Sequence, residues 1–235
     1  NAEIGIQTRP NALNREHASN LLEAMQEAKL QRPPTDCLSP IGEENIIVGL
    51  KKEYKADFVG ACTRPVAVYR AIPFQVEVGL VYSKELPTDK QATLIRFANK
   101  VPLFYQQSEC GTYKGVVKTQ WKRYGLNQPG GSLPVGPVVI MVHVASTWVP
   151  FISEGKQAIA PYPDIIKEIN LALLDIGRKL QRYLSAEQKK YAKERRMKIF
   201  EKYSKEVAIS VSNLTGEDKD NIMKLLQKEI GKRGE

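Results

Sequence analysis

Histidine and cysteine are scarce in this chain: 2 His and 3 Cys among 235 residues. Cys37, Cys62 and Cys110 stand far apart with no Cys-x-x-Cys pair. Neither a disulfide framework nor a zinc site has the spacing it needs, and three reduced, mostly buried thiols are expected. Long apolar runs are missing too. No stretch approaches the roughly 18 consecutive residues of a membrane helix, and Asn1 to Pro10 has neither the basic start nor the apolar core of a signal peptide. These absences point to a soluble, intracellular protein. Nucleophile and metalloprotease signatures are also lacking: there is no Gly-x-Ser-x-Gly and no His-Glu-x-x-His. His17 falls on a predicted helix and His143 at the end of an apolar strand, so each reads as structural.

The composition that remains is that of a folded domain. With 42% hydrophobic and 26% charged residues the chain can bury one sizeable core or two modest ones. The net charge of +9 is uneven: from Arg178 to Glu235 there are 16 basic and 9 acidic residues, leaving the preceding part close to neutral. A basic segment on a near-neutral body points to nucleic acid or an acidic protein, although a solvated helical face accounts for it equally well.

Periodicity outlines the elements. Ala18, Leu21, Leu22, Met25 and Ala28 follow helical spacing from Asn14, a capping residue, to Lys29, and a turn follows at Pro33-Pro34-Thr35-Asp36. A helix beginning so near the first residue, with no partner element before it, points to a piece of something longer. Pro40 to Tyr54 reads as a short helix with Glu43 and Glu44 in its first turn, where the helix dipole favours acids. Strict alternation over Phe74 to Tyr82 predicts a half-buried strand, with weaker candidates at Phe58 to Cys62 and Thr93 to Asn99. The unbroken apolar run Val138 to Val144 predicts a central strand. Thr112 to Tyr124 is expected to be helical, followed by a Gly/Pro-rich loop from Gly125 to Pro137.

From Pro163 a long stripe, Ile166, Ile169, Leu173, Ile176, Leu180 and Leu184, should pack on the sheet. Ser185-Ala186-Glu187-Gln188 has the form of a capping box, so beyond it lies either a fresh helix or a kinked continuation to about Lys205. A continuous rod would span about 65 Å and leave its domain. After the apolar patch Val207 to Val211, a final amphipathic helix carries Ile222, Leu225, Leu226 and Ile230.

Two short constellations could carry chemistry. Ser153-Glu154-Gly155-Lys156 invites a phosphate-loop reading but fails the pattern: Pro150 stands where the first glycine belongs, and Gln157 follows Lys156. What remains is a loop lysine able to reach a phosphate held elsewhere, or an ordinary exposed lysine. Trp121-Lys122-Arg123-Tyr124 sets two aromatics around two cations, a combination suited to nucleic acid because cations neutralise phosphates and rings stack on bases. The two rings, three apart, could equally pack on the core.

Longer motifs, in order, carry a resemblance. Pro34-Thr35-Asp36-Cys37-Leu38-Ser39-Pro40-Ile41-Gly42-Glu43, Thr63-Arg64-Pro65 with Pro73 to Gly79, Arg96 to Leu103 with Tyr105-Gln106-Gln107, and Val142 to Thr147 followed by Ser153 to Lys156 resemble the B subunit of the archaeal type IIB enzyme DNA topoisomerase VI. The resemblance spans about residues 11 to 205. It implies an α+β fold: residues 1–36 as the end of a helix-two-turns-helix domain, 37–205 as a transducer domain, and 206–235 as a partly helical tail. That transducer has a mixed sheet, a left-handed βαβ crossover and a long C-terminal helix. The resemblance also implies that Lys156 is the switch lysine contacting the γ-phosphate of ATP, and that Trp121, Lys122, Arg123 and Tyr124 contact DNA.

ATP and Mg would be held mainly by an N-terminal ATPase domain, with the cleavage tyrosine and the metal site on the A subunit. The expected partners are double-stranded DNA, the A subunit of the enzyme, and a second B subunit in an A2B2 heterotetramer, inside an archaeal cell and without a membrane. The competing readings are a non-enzymatic basic nucleic-acid-binding module and a phosphotransferase using Lys156.

Overall fold

A computed structural model describes residues 4–5, 7–28 and 36–232, with the side chains of 227–232 left aside. The turn expected at Pro33-Pro34-Thr35 and the side chain of Ile230 lie outside these described residues. Helix α1, Arg15–Glu27, is capped by Asn14: its Oδ1 accepts the His17 amide at 2.8 Å while His17 Nδ1 reaches back to the Asn14 amide. His17 is thus a capping residue. Helix α2, Glu43–Glu53, starts three residues after Pro40, because Gly42 takes the left-handed φ of 88° and breaks the chain direction there.

The sheet contains β1 (Phe58–Thr63), β2 (Ala67–Tyr69), β3 (Ile72–Tyr82), β4 (Thr93–Ala98), β5 (Val101–Pro102) and β6 (Val138–Ser146), in the order β1-β3-β6-β4-β5 with β2 also paired to β3. All pairs are antiparallel except β4 with β6, so the sheet is mixed and the fold is α+β. Between β4 and β6 the chain passes through α3, Gly111–Lys118. As its continuous apolar run predicts, β6 is central and every one of its residues is buried.

Two layers of helices close the sheet. One face packs on α3 and on α4, Pro163–Thr215, around the larger core of Val76, Val78, Ile140, Val142, Ile169 and Leu173. The opposite face is covered by α2 through Ile46 and Leu50. This second cover is why β3 is buried on both faces rather than half-buried as its alternation predicts. Gly79 makes the approach possible, since a Cβ there would stand 2.7 Å from both Ile46 Cγ2 and Leu50 Cδ1.

Helix α4 runs through Ser185 without a break and ends at Gly216, whose φ is 75°. Its 53 residues span about 80 Å. The buried stripe is Ile165, Ile169, Ala172, Leu173, Ile176, Gly177 and Leu180, so Ile165 rather than Ile166 leads it. Beyond Leu184 no residue of the helix is buried until Ser204. There α5, Lys219–Lys232, folds back on it and covers Ser204 and Ala208 with Ile222.

Candidate nucleotide-sensing loop and nucleic-acid face

Lys156 lies at the tip of a loop whose base is closed by a bridge between Phe151 and Ile159 and by the Ile152 amide donating to Ala158 O at 2.9 Å. The Lys156 amide turns back onto Ser153 O at 3.1 Å. This turn puts the left-handed backbone conformation on Lys156, φ 52°, and not on the adjacent Gly155. A side chain in that region costs on the order of 1 kcal/mol, a strain that marks positions held for another purpose. The lysine is exposed, and its ammonium has no ion pair among the described residues. One cation without a glycine-rich cradle can contact a phosphate held by another domain, but it cannot build a nucleotide site by itself.

Trp121, Lys122, Arg123 and Tyr124 form a separate 3-10 turn rather than the end of a helix from Thr112. The helix stops because Thr119 is extended and its hydroxyl donates to Gly115 O, while the Trp121 indole N–H donates to Val116 O at 2.8 Å. Gln128 completes the cap by donating to Val117 O and accepting the Trp121 amide. The indole is therefore wholly buried, and Tyr124 is 6% exposed. Tyr124 packs on α4 so closely that a Cβ on Gly177 would lie 2.7 Å from its ring. The base-stacking role expected of the two aromatics is precluded in this arrangement; their burial orients Lys122 and Arg123, both exposed, towards solvent.

The root of α4 is tied to the sheet edge. Arg64 Nε bonds Glu168 at 3.0 Å, its Nη1 lies 3.7 Å from Asp175, and Lys179 donates to Ala61 O. Lys84 pairs with Glu187 at 2.8 Å further out. Beyond this point the helix presents Lys189, Lys190, Lys193, Arg195, Arg196, Lys198, Lys202 and Lys205, all exposed.

A polar cluster that sequence reasoning missed lies under α2. Glu77 and His143, both completely buried, are joined at 2.7 Å. The Lys100 amide donates to His143 Nε2 at 3.0 Å, which assigns the ring proton to Nδ1, facing the carboxylate. The amides of Ile41 and Gly42 and the Thr63 hydroxyl also donate to Glu77. Burial pushes the Glu77 carboxyl up, but these four donors, His143 foremost, outweigh it and bring its pKa down to about 2. The signal was a charged residue inside an apolar alternation, opposite the one histidine of the central strand.

Cys62 and Cys110 are buried whereas Cys37 is exposed. Among the described residues no group of three or more His, Cys, Asp or Glu could hold a metal, and no helix is long and apolar enough to cross a membrane.

A mixed sheet that anchors a projecting helix, with an exposed lysine loop just before the root of that helix, defines the class of fold. The family is shown by comparison: the chain belongs to the topoisomerase VI B subunits, matching over residues 33–196 the family described as "Topoisomerase VI B subunit, transducer". It is 47% identical over 222 residues to the type 2 DNA topoisomerase 6 B subunit of Methanosarcina barkeri, covering 94% of this chain and 36% of that protein. The protein of the same name from Thermococcus kodakarensis is 44% identical over 214 residues, covering 91% of this chain and 37% of that one. That of Natronomonas pharaonis is 44% identical over 203 residues, covering 86% and 25%. The chain thus spans between a quarter and just over a third of the length of these curated relatives. Among solved structures, the 43K ATPase domain of Thermus thermophilus gyrase B, in complex with an aminocoumarin, superposes with a TM-score of 0.35 at 18% identity over 67% of this chain and 46% of that one.

Proposed function

We propose that residues 37–205 are the transducer of an ATP-binding B subunit, and that this transducer couples ATP-driven pairing of two B subunits to double-strand cleavage and passage by the A subunit. The product of that work is relaxed or decatenated DNA. Residues 1–36 would be the end of a helix-two-turns-helix domain and 206–235 a tail, in an A2B2 assembly acting in the archaeal cytoplasm. One observation carries the reading: an exposed Lys156, held in a strained turn and without an ion pair among the described residues, lies shortly before the first residue of a helix about 80 Å long.

ATP with magnesium, held by an ATPase domain outside these residues, supplies a terminal phosphate that is present before hydrolysis and gone after it. Lys156 would meet that phosphate, and a contact available in only one nucleotide state biases the orientation of the two domains. The core-packed part of α4 turns with the sheet, so its free part carries the reorientation outward. Lys122, Arg123 and the basic residues from Lys189 to Lys205 would face DNA or the A subunit, their charge neutralising phosphates.

Plasmid relaxation by holoenzyme assembled from full-length A and B subunits, with ATP and magnesium, tests this. Lys156→Ala should lose ATP-driven relaxation severely, by roughly a hundredfold, while retaining DNA binding. Lys122→Ala/Arg123→Ala should instead weaken DNA binding and flatten its salt dependence. Unchanged relaxation with Lys156→Ala overturns the switch assignment.

A further inference from the structure

A small socket opens beside the Lys156 loop. Phe74 and Ile165, both nearly fully buried, form its floor; Tyr69 and Tyr162, stacked at 4.5 Å, form one wall; Arg70 and Trp148 stand at its rim. Its volume is about 170 Å³. That is below the range of about 300–1,000 Å³ that cofactors and drug-sized ligands occupy, and suits one apolar side chain.

Three features of the rim bear on what could occupy it. Trp148 is 71% exposed although its neighbour Val149 is buried. The Arg70 guanidinium lies 5.3 Å and 5.7 Å from the centres of the Tyr69 and Tyr162 rings, within cation–π range, and has no carboxylate partner among the described residues. Arg70 and Ala71 also form the two-residue turn between β2 and β3 with φ of 48° and 63°, a left-handed geometry that normally selects Asn or Gly. A strained backbone of this kind is of the sort found at ligand clamps and switch regions. Tyr, Trp and Arg around a pocket are also the composition of an interface hot spot.

We infer that this socket seats an apolar side chain flanked by an acidic residue, presented by the part of the full-length protein that meets Lys156. The occupant is assigned by continuity and charge. Pro150 and Tyr162, which flank the Lys156 loop just outside its base, both line the socket, so the body that would bring a phosphate to Lys156 is the nearest candidate to cover it. Among the described residues, Arg70 is the only charged group in the lining, and it calls for a carboxylate. The inference rests on the switch reading of Lys156 and adds to it a second point of attachment, which would turn a single contact into a defined docking geometry.

Hydroxyl-radical footprinting of the full-length B subunit tests the contact directly. Trp148 should be oxidised about tenfold more slowly than Tyr191, which is equally exposed on the free part of α4. In the holoenzyme, Trp148→Ala and Arg70→Gly should each lower ATP-driven relaxation about tenfold, and Arg70→Gly should do so while raising the melting temperature, because glycine relieves the turn. A merely structural arginine would not give that combination. Trp148 as reactive as Tyr191, with both variants at wild-type relaxation, overturns the socket even if Lys156→Ala is inactive. Protection of Trp148 together with a fully active Lys156→Ala supports the socket and sinks only the switch. Protection that vanishes on dilution assigns the socket to a second copy and overturns the proposal.

Discussion

Glu77 stands completely buried beside His143, yet its carboxyl is ionised over nearly the whole accessible pH range because four hydrogen-bond donors converge on it. The folded pKa of about 2 lies below the ordinary 4.5, so the carboxylate contributes stability above pH 4.5 and loses it as pH falls towards 2. The contribution at neutral pH is of the order of 3 kcal/mol. Denaturant titrations from pH 7 to pH 2 should show the wild type losing that advantage over Glu77→Gln within this window. A constant difference between the two proteins across it would contradict the assignment. The cluster fastens residues 41–42, the entry to α2, to the centre of the sheet, and Lys100 adds a second strap through its Nζ bond to Ser39. The sequence offered only a weak signal of this, because Glu77 occupied the polar phase of an alternating strand, where an exposed carboxylate is ordinary. A carboxylate can be placed in such a phase only once its cover, here α2, is known.

At the scale of elements, the sequence announced those that bury one continuous stripe. Central β6, the pairing partner β3, the capped α1 and the start of α4 all follow from period and caps. It concealed β2 and β5, because strands of three and two residues have no period to read, and both hang on hairpin turns built without glycine: Arg70-Ala71 and Asn99-Lys100. It also concealed the break at Thr119, where Trp121 caps α3 with its own indole; a tryptophan beside two cations carries the same letters whether it stacks on a base or ends a helix. The contact between that turn and α4 can be tested at Gly177. Adding a methyl there meets the Tyr124 ring at 2.7 Å, and that residue is itself buried. Overpacking costs about 1–3 kcal/mol, offset in part by about 1 kcal/mol of helix propensity. Gly177→Ala should therefore lower stability by roughly 1 kcal/mol, read as a shift in denaturant midpoint at constant slope, whereas Gly216→Ala, with nothing within 4 Å, probes only the left-handed cap.

At the scale of the whole molecule, the described residues form a core from which a long helix projects. About a third of α4 is clamped between α3, β1 and β3, and the ion pairs of Arg64 with Glu168 and Asp175 prevent its root from rolling. The remainder stands clear until α5 doubles it. The capping-box pattern at Ser185 does not start a new helix, because Leu180 is buried and Leu184 packs on the core, keeping the preceding turn helical. A helix stripped of tertiary contact transmits motion only through its own backbone hydrogen bonds, and exposed Ser185 stands at the edge of that stretch. The core packing ends just before it, and just beyond it the Lys84–Glu187 pair is the last tie to the body among the described residues. Ser185→Pro removes one of these bonds and drives the ring into the carbonyl of Gln181, at a cost of about 3 kcal/mol and a kink. If α4 works as a stiff lever, the holoenzyme carrying Ser185→Pro should still bind ATP and pair its B subunits yet lose relaxation activity, while Ser185→Ala, which only improves helix propensity, should be fully active. Wild-type relaxation by the proline variant would mean that α4 acts as a tether, and that the two ends of the molecule communicate by another route.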